Sequence, residues 1–334
     1  MRPQQVTVLG ECVADAFTSP SSAPDELSLR VLPGGGPANT AVALARLGTP
    51  ARFLTRLSED VFGRLFRSHL EASGVDLSGA IRAAEPSTLA VAELDGQGQA
   101  AYSFHAEGTA DWQWTRAELA ATGLDGTACL HSGSLALVRD PGAPAVEEFL
   151  ARAAATATVS VDPNVRPLLV DPDVYRRRLP DWCAVADILR LSEEDLELLL
   201  PGTDPERACD AWHMAGVRLV VVTRGSRGAL ASLDGERITV PAPAARVVDT
   251  VGAGDSFTAG FLHHLGSRGL LGGRLDGLRV EDVAEACAFA VRVAALTCAV
   301  AGPNPPWAHQ LTPDAAVASA SASASVAASA AAAE

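Results

Sequence analysis

The sequence predicts an α/β fold: a mostly parallel central sheet with helices on both faces, plus a small second sheet. Three observations carry this. Short apolar runs alternate with longer runs of helical period through most of the chain. Glycine-rich turns stand directly before two of the helical runs. In the first third, two apolar runs flank Asp95-Gly96-Gln97-Gly98 and break the alternation with a hairpin pattern.

Gln5 to Gly10 reads as the first strand, followed by a polar stretch from Thr18 to Leu29. Pro37 just inside and Gly48 just past an Ala/Leu-rich run predict a helix over Pro37–Leu47. Arg52 to Leu57 reads as one strand. Asp60 is placed to cap a helix whose Phe62, Leu65, Phe66 and Leu70 share a face. Thr88–Leu94 and Ala101–His105 form the hairpin, and with Val13–Val31 they could build the accessory sheet. Beyond Trp112 the alternation resumes. Strands are expected at Ala128–Ser132, Thr158–Asp162, Ile188–Leu191 and Leu219–Thr223, and helices near 143–155, 193–200, 204–214, 255–266 and 281–298. The last twenty residues are 12 Ala, 5 Ser, 2 Val and one Glu, a low-complexity tail with no apolar face to dock.

Composition removes several function classes. The chain has 334 residues, 48% hydrophobic and 20% charged, enough for a sizeable core. Its net charge of −14 argues against a broad nucleic-acid interface. All 26 basic residues are Arg. Without Lys, a Walker-type phosphate loop and lysine nucleophiles are excluded. The six cysteines form no C-x-x-C pair, which favours scattered thiols in a cytoplasmic protein over a zinc or disulfide framework. The N-terminus lacks a signal-like apolar run, and no stretch approaches 18 apolar residues, so no membrane association is expected.

The segment Val248-Asp249-Thr250-Val251-Gly252-Ala253-Gly254-Asp255 concentrates the chemistry. Small residues at 252–254 leave backbone N–H groups uncovered at a helix start, an anion site. Asp255 in the first turn suits a base that takes a proton from an attacking hydroxyl while a phosphoryl group transfers. It could equally do no more than complement the helix dipole. Gly34-Gly35-Gly36-Pro37-Ala38-Asn39 permits close approach of backbone to a ligand, and Asn39 offers a donor and an acceptor to neighbouring hydroxyls. Alone, it could be a flexible turn with a surface Asn.

The two segments lie more than 200 residues apart, and together they resemble the ribokinase-like, phosphofructokinase-B-type carbohydrate kinases. The N-terminal signature stands here as GGGPANTAVALARLG and the C-terminal one as DTVGAGD. The resemblance covers about residues 5 to 310. It implies one kinase domain over 1–313, with lid segments near 12–32 and 88–106, followed by the 314–334 tail. It makes Asp255 the catalytic base and Gly252, Ala253 and Gly254 the anion hole. Asp249 and the Val251 carbonyl would stand at a monovalent-cation (K+) site. Asp15, Gly34, Gly35 and Asn39 would hold sugar hydroxyls. Thr223-Arg224-Gly225-Ser226-Arg227-Gly228 resembles the family's nucleotide turn, with Thr223, Gly225 and Gly228 facing ATP and Arg224 or Arg227 meeting phosphate charge. Read on its own it is a hairpin turn with exposed Arg. Phe289 is a candidate adenine wall, or a core Phe. The family's Asn-x-x-Glu stands here as Ser192-Glu193-Glu194-Asp195. Ser192 would then be on the ATP side, and Glu194 or Asp195 would orient water on Mg2+. The same four residues also fit a capped helix start.

Asp162-Pro163-Asn164-Val165-Arg166 and Tyr102-Ser103-Phe104-His105 resemble the bacterial fructokinase branch, where an aromatic residue usually stands at the position of His105. Phe104 would stack on the sugar, and Asn164 and Arg166 would contact its hydroxyls. The resemblance implies transfer of the γ-phosphoryl of Mg-ATP to a primary hydroxyl, D-fructose giving fructose 6-phosphate. Ribose, a nucleoside or 2-keto-3-deoxygluconate as acceptor, or a non-catalytic sugar-binding relative, are the alternatives. The open edges of a lid sheet could pair in a homodimer. His263-His264 has no third ligand at helical spacing and reads as structural. Trp112 and Trp114 are expected to pack where the lid meets the body.

Overall fold

A computed structural model describes residues 4–19, 25–94 and 100–311. The 314–334 tail, positions 20–24 of the polar stretch and the hairpin tip at Asp95–Gly98 lie outside the described residues. In chain order the elements begin with β1 (Gln5–Leu9), β2 (Val13–Ser19), β3 (Ser28–Gly34), α1 (Gly36–Arg46), β4 (Ala51–Leu54) and β5 (Arg56–Ser58). There follow α2 (Val61–Ala72), β6 (Ile81–Ala83), β7 (Leu89–Leu94), β8 (Ala100–His105), α3 (Arg116–Ala121), β9 (Thr127–Gly133), α4 (Ala143–Ala153) and β10 (Thr158–Asp162). The remainder is α5 (Pro172–Val185), β11 (Ile188–Ser192), α6 (Glu193–Leu199), α7 (Pro205–Met214), β12 (Leu219–Thr223), β13 (Ala229–Leu233), β14 (Glu236–Val240), α8 (Ala253–Ser267) and α9 (Val280–Cys298).

The large sheet has eight strands in the order β14-β13-β12-β11-β10-β9-β1-β4. The six from β12 to β4 run parallel, and β13 and β14 close one edge as an antiparallel hairpin. Strand residues alternate between two cores. Leu219 and Val221 pack with α1, α8 and α9, whereas Val220 and Val222 pack with residues of α4 to α7. Burial on both faces explains why these strands read as continuous apolar runs. Each fully buried Val or Leu contributes roughly 1.5–3 kcal/mol. The second sheet, β3-β2-β7-β8, pairs β2 with β7 in parallel between two antiparallel hairpins.

The expected elements appear within a few residues of their predicted bounds, with exceptions that have physical causes. The single strand expected over Arg52–Leu57 is two strands. After Leu54 the chain leaves β1 and pairs with β6 instead. Helix α5 contains Pro180 and has a mixed surface, so it left no clean periodic signal. Asp60 caps α2 as expected, accepting from the Gly63 N–H at 2.8 Å.

Candidate active site

The C-terminal ends of β1, β9 and β10 converge with the N-termini of α1 and α8. This is where parallel α/β sheets bind ligands, because strand ends and helix starts leave polar backbone groups unpaired. Between them and the second sheet lies a cavity of about 530 Å3. It brings together Asp15, Gly35, Asn39, Phe104, Asn164, Arg166, Val251, Gly252, Gly254 and Asp255 from the sequence expectation. Strand parity in the small sheet explains the cover. Asp15 and Phe17 from β2, Ala90 and Ala92 from β7, and Tyr102 and Phe104 from β8 face the cavity. The Tyr102 and Phe104 rings stack at 5.8 Å. His105 falls on the opposite parity, outside the cavity lining, so the aromatic contact on this strand belongs to Tyr102 and Phe104.

The three glycines that lead into α1 stand close against the rest of the site. A Cβ on Gly34 would lie 2.0 Å from the Asp15 carboxylate, and one on Gly36 would lie 2.7 Å from Asn164 Nδ2 and 3.2 Å from Asp255 Oδ1. Gly35 has φ +99° and lies against the Glu11 carbonyl, where a Cβ would stand 2.7 Å away. Gly34 thus supports the cavity from behind without lining it.

Asp255 is 8% exposed in the first turn of α8. Asn39 Nδ2 donates to its Oδ2 at 2.9 Å, across 216 residues of sequence. Burial pushes its pKa up to about 6, opposed by the Asn39 bond and the Arg166 charge. Asp15 is likewise raised by burial to about 6, again opposed by Arg166. Arg166 is therefore the cation shared by the carboxyls of the cavity. A carboxylate raised this far accepts a proton more readily than an ordinary one and stays ionised at neutral pH. Gly252 caps α8 in the left-handed region at φ +76°. Gly252 and Gly254 line the cavity, but the Ala253 N–H turns back to the Thr250 carbonyl at 3.2 Å. That corrects the expectation of three uncovered amides to Gly252 and Gly254.

The nucleotide-side residues lie outside the cavity lining. Thr223 ends β12, and Gly225–Arg227 form one 3-10 turn into β13, so this segment is a hairpin turn whatever else it binds. Gly228 has φ +89° and lies so close to Val240 that a Cβ would meet its carbonyl oxygen at 1.9 Å. Arg224 and Arg227 do not stand free: both pair with Glu193. Ser192 and Asp195 form a capping box at the start of α6, and Asp195 also accepts from the Val165 N–H at 2.8 Å. Asp195 is buried and engaged, and Glu194 beside it is exposed. Asp249 accepts from the N–H of Val251 at 3.0 Å and of Gly302 at 2.8 Å, shaping the loop that carries the Val251 carbonyl. Phe289 packs against the two histidines of α8. It stacks on His263 at 5.4 Å and lies 5.8 Å from His264, two turns along α8 from Asp255. His263 also bonds Thr49 at 2.8 Å, and Trp112 and Trp114 are buried, Trp112 donating to the Ala106 carbonyl just past the small sheet.

Arg190, Glu11 and Ser134 are among the cavity residues that went unforeseen. Arg190 on β11 is buried, with Nη1 2.6 Å from Asp162 Oδ2 and Nη2 2.8 Å from Thr223 Oγ1. It presses on Gly254, where a Cβ would lie 3.0 Å from both terminal nitrogens. The guanidinium therefore ties the Asp162–Asn164 loop, the nucleotide turn and the start of α8 together. Glu11 and Ser134 line the cavity at the ends of β1 and β9. A lone Arg within an apolar strand was the only sequence signal for Arg190, and a Glu after Gly10 the only one for Glu11.

Comparisons with known proteins find relatives over most of the chain. The pattern of the pfkB family of carbohydrate kinases matches residues 3–311. A fructokinase of Rhizobium leguminosarum bv. trifolii is 40% identical over 239 residues, 71% of this chain and 73% of the relative. Among solved structures, the fructokinase of Xylella fastidiosa with bound ATP has a TM-score of 0.81 at 26% identity, covering 90% of this chain and 93% of that one. A double mutant of the Vibrio cholerae fructokinase, bound to fructose, ADP and potassium ion, has a TM-score of 0.78 at 26% identity, covering 90% and 94%.

Proposed function

The chain belongs to the pfkB family of carbohydrate kinases, and from that premise we propose that it transfers the γ-phosphoryl of ATP to the 6-hydroxyl of D-fructose. The observation that carries this is Asp255. It is a buried carboxyl with a raised pKa, fixed by Asn39 at a helix start inside a cavity lined for a polyol. Asp255 takes the proton as the sugar oxygen forms its bond to γ-phosphorus and the bond to the β-phosphate oxygen breaks, releasing ADP. The Gly252 and Gly254 backbone and the α8 dipole oppose the charge on the transferring group. Tyr102 and Phe104 offer an apolar face to the ring, and Arg166 and Asn164 offer donors to hydroxyls.

Mg2+ on the phosphates would screen their charge. Glu194 or Asp195, in the first turn of α6, would orient water on that ion. The loop shaped by Asp249 presents the Val251 carbonyl, a ligand type that suits K+. We assign residues 1–313 to the kinase domain, with β2, β3, β7 and β8 as a lid whose closure would exclude water. Its open edges offer a route to a homodimer. No helix among the described residues is long and apolar enough to cross a membrane, and a cytoplasmic location fits a kinase that uses ATP.

The test is ADP release with Mg-ATP and a panel of D-fructose, ribose, glucose, adenosine and 2-keto-3-deoxygluconate. Turnover on fructose, with kcat/KM falling as pH drops through about 6 and Asp255 takes up a proton, is the expected result. Turnover on a different panel member alone would overturn the fructose assignment. Sugar binding without turnover would overturn the kinase reading.

A further inference from the structure

Glu11 stands in the turn between β1 and β2, 2% exposed, and lines the cavity. Its side chain bonds Ser134, while Oε2 has no hydrogen-bond partner. A buried carboxyl oxygen without a donor is costly, so native proteins seldom keep one without a use. The turn that carries it is firmly fixed. Asp111 accepts from the Cys12 N–H at 2.9 Å and from Thr88 Oγ1 at 2.6 Å, and Gly35 packs on the Glu11 carbonyl. Ser134 has φ +59° and Asn164 φ +40°. Two of the four described non-glycine residues in the left-handed region thus line this one cavity. Such backbone persists where the surroundings over-determine it, commonly at ligand sites.

We infer that Glu11, oriented by Ser134, is a specificity-determining residue of the sugar site: its carboxylate accepts a hydrogen bond from a substrate hydroxyl other than the one phosphorylated. The inference rests on the sugar-kinase reading above. A ligand hydroxyl supplies the donor that the protein leaves out, and a substrate lacking that hydroxyl strands the buried oxygen. Asp15 reads hydroxyls from the small sheet, and Glu11 does so from the floor of the large one.

The test crosses two Glu11 variants with sugars lacking single hydroxyls. Wild type, Glu11→Gln and Glu11→Ala are assayed with D-fructose and its 1-, 3- and 4-deoxy analogues. Sugar affinity is also read by calorimetry, and the KM for ATP is measured in parallel. For wild type, one deoxy analogue should lose about 10- to 100-fold in kcat/KM. Glu11→Ala should lose a similar factor on fructose itself and nothing further on that analogue, with the KM for ATP unchanged. Glu11→Gln keeps the shape and one acceptor, and should give an intermediate loss if the alanine variant folds poorly. Equal losses on every analogue in wild type and variants would overturn the inference while leaving the kinase reading intact. Absence of wild-type turnover on every sugar would overturn both.

Discussion

The cavity proposed to hold the sugar, below called the sugar side, and the turn proposed to meet the nucleotide, below called the nucleotide side, are built differently. On the sugar side, charged groups are buried and locked by distant parts of the chain. Asn39 holds Asp255, Gly34 makes room for Asp15, and Asp111 fastens the Glu11 turn. On the nucleotide side, Arg224 and Arg227 pair with Glu193, and Arg227 is largely exposed. Buried, pre-set groups act at full strength because water does not screen them, whereas exposed pairs exchange partners cheaply. The cavity is therefore organised before any ligand arrives, whereas on the proposed nucleotide turn Arg224 and Arg227 share one carboxylate, Glu193.

The sharpest way to break this contrast is Asp255→Asn. It should lower kcat by at least about 10²-fold while leaving ATP affinity nearly unchanged, measured by steady-state kinetics and nucleotide titration. A loss under tenfold would remove Asp255 from its role as base. Next is Arg190→Met, at the seam between the two sides. It leaves Asp162 buried without its cation and should cost about 3–5 kcal/mol of stability in denaturant unfolding. An unchanged midpoint would show that the seam does not depend on this pair. The smallest effect is expected from Glu193→Gln. Freeing Arg224 and Arg227 should change the KM for ATP by no more than about fivefold and leave the sugar KM alone. A large shift in the sugar KM would mean that the two sides are coupled through this pair.

Much of the site was legible because its signals are local. Gly34–Asn39 and Asp249–Asp255 each declare a glycine-rich turn feeding a helix, and the structure brings both to one cavity. Local signals also misled. Three small residues suggested three free amides, but one turns back to Thr250. His105 stood next to Phe104 in sequence, yet strand parity sends it away from the cavity and brings Tyr102 in. Phe289 had helical spacing and an apolar side chain, and only packing placed it on His263.

Amino-acid order alone was enough for the succession of strands and helices, the turns that feed α1 and α8, and the carboxyl at the start of α8. Those follow from periodicity, glycine and proline, and helix-end electrostatics, all set within a few residues. Which side chains share the cavity was a matter for the folded chain. Glu11, Ser134 and Arg190 reach it because parallel strands end side by side, a neighbour relation set by sheet order and not by distance along the chain. The raised pKa values of Asp15 and Asp255 likewise come from burial, which exists only once the helices and the small sheet have closed over them.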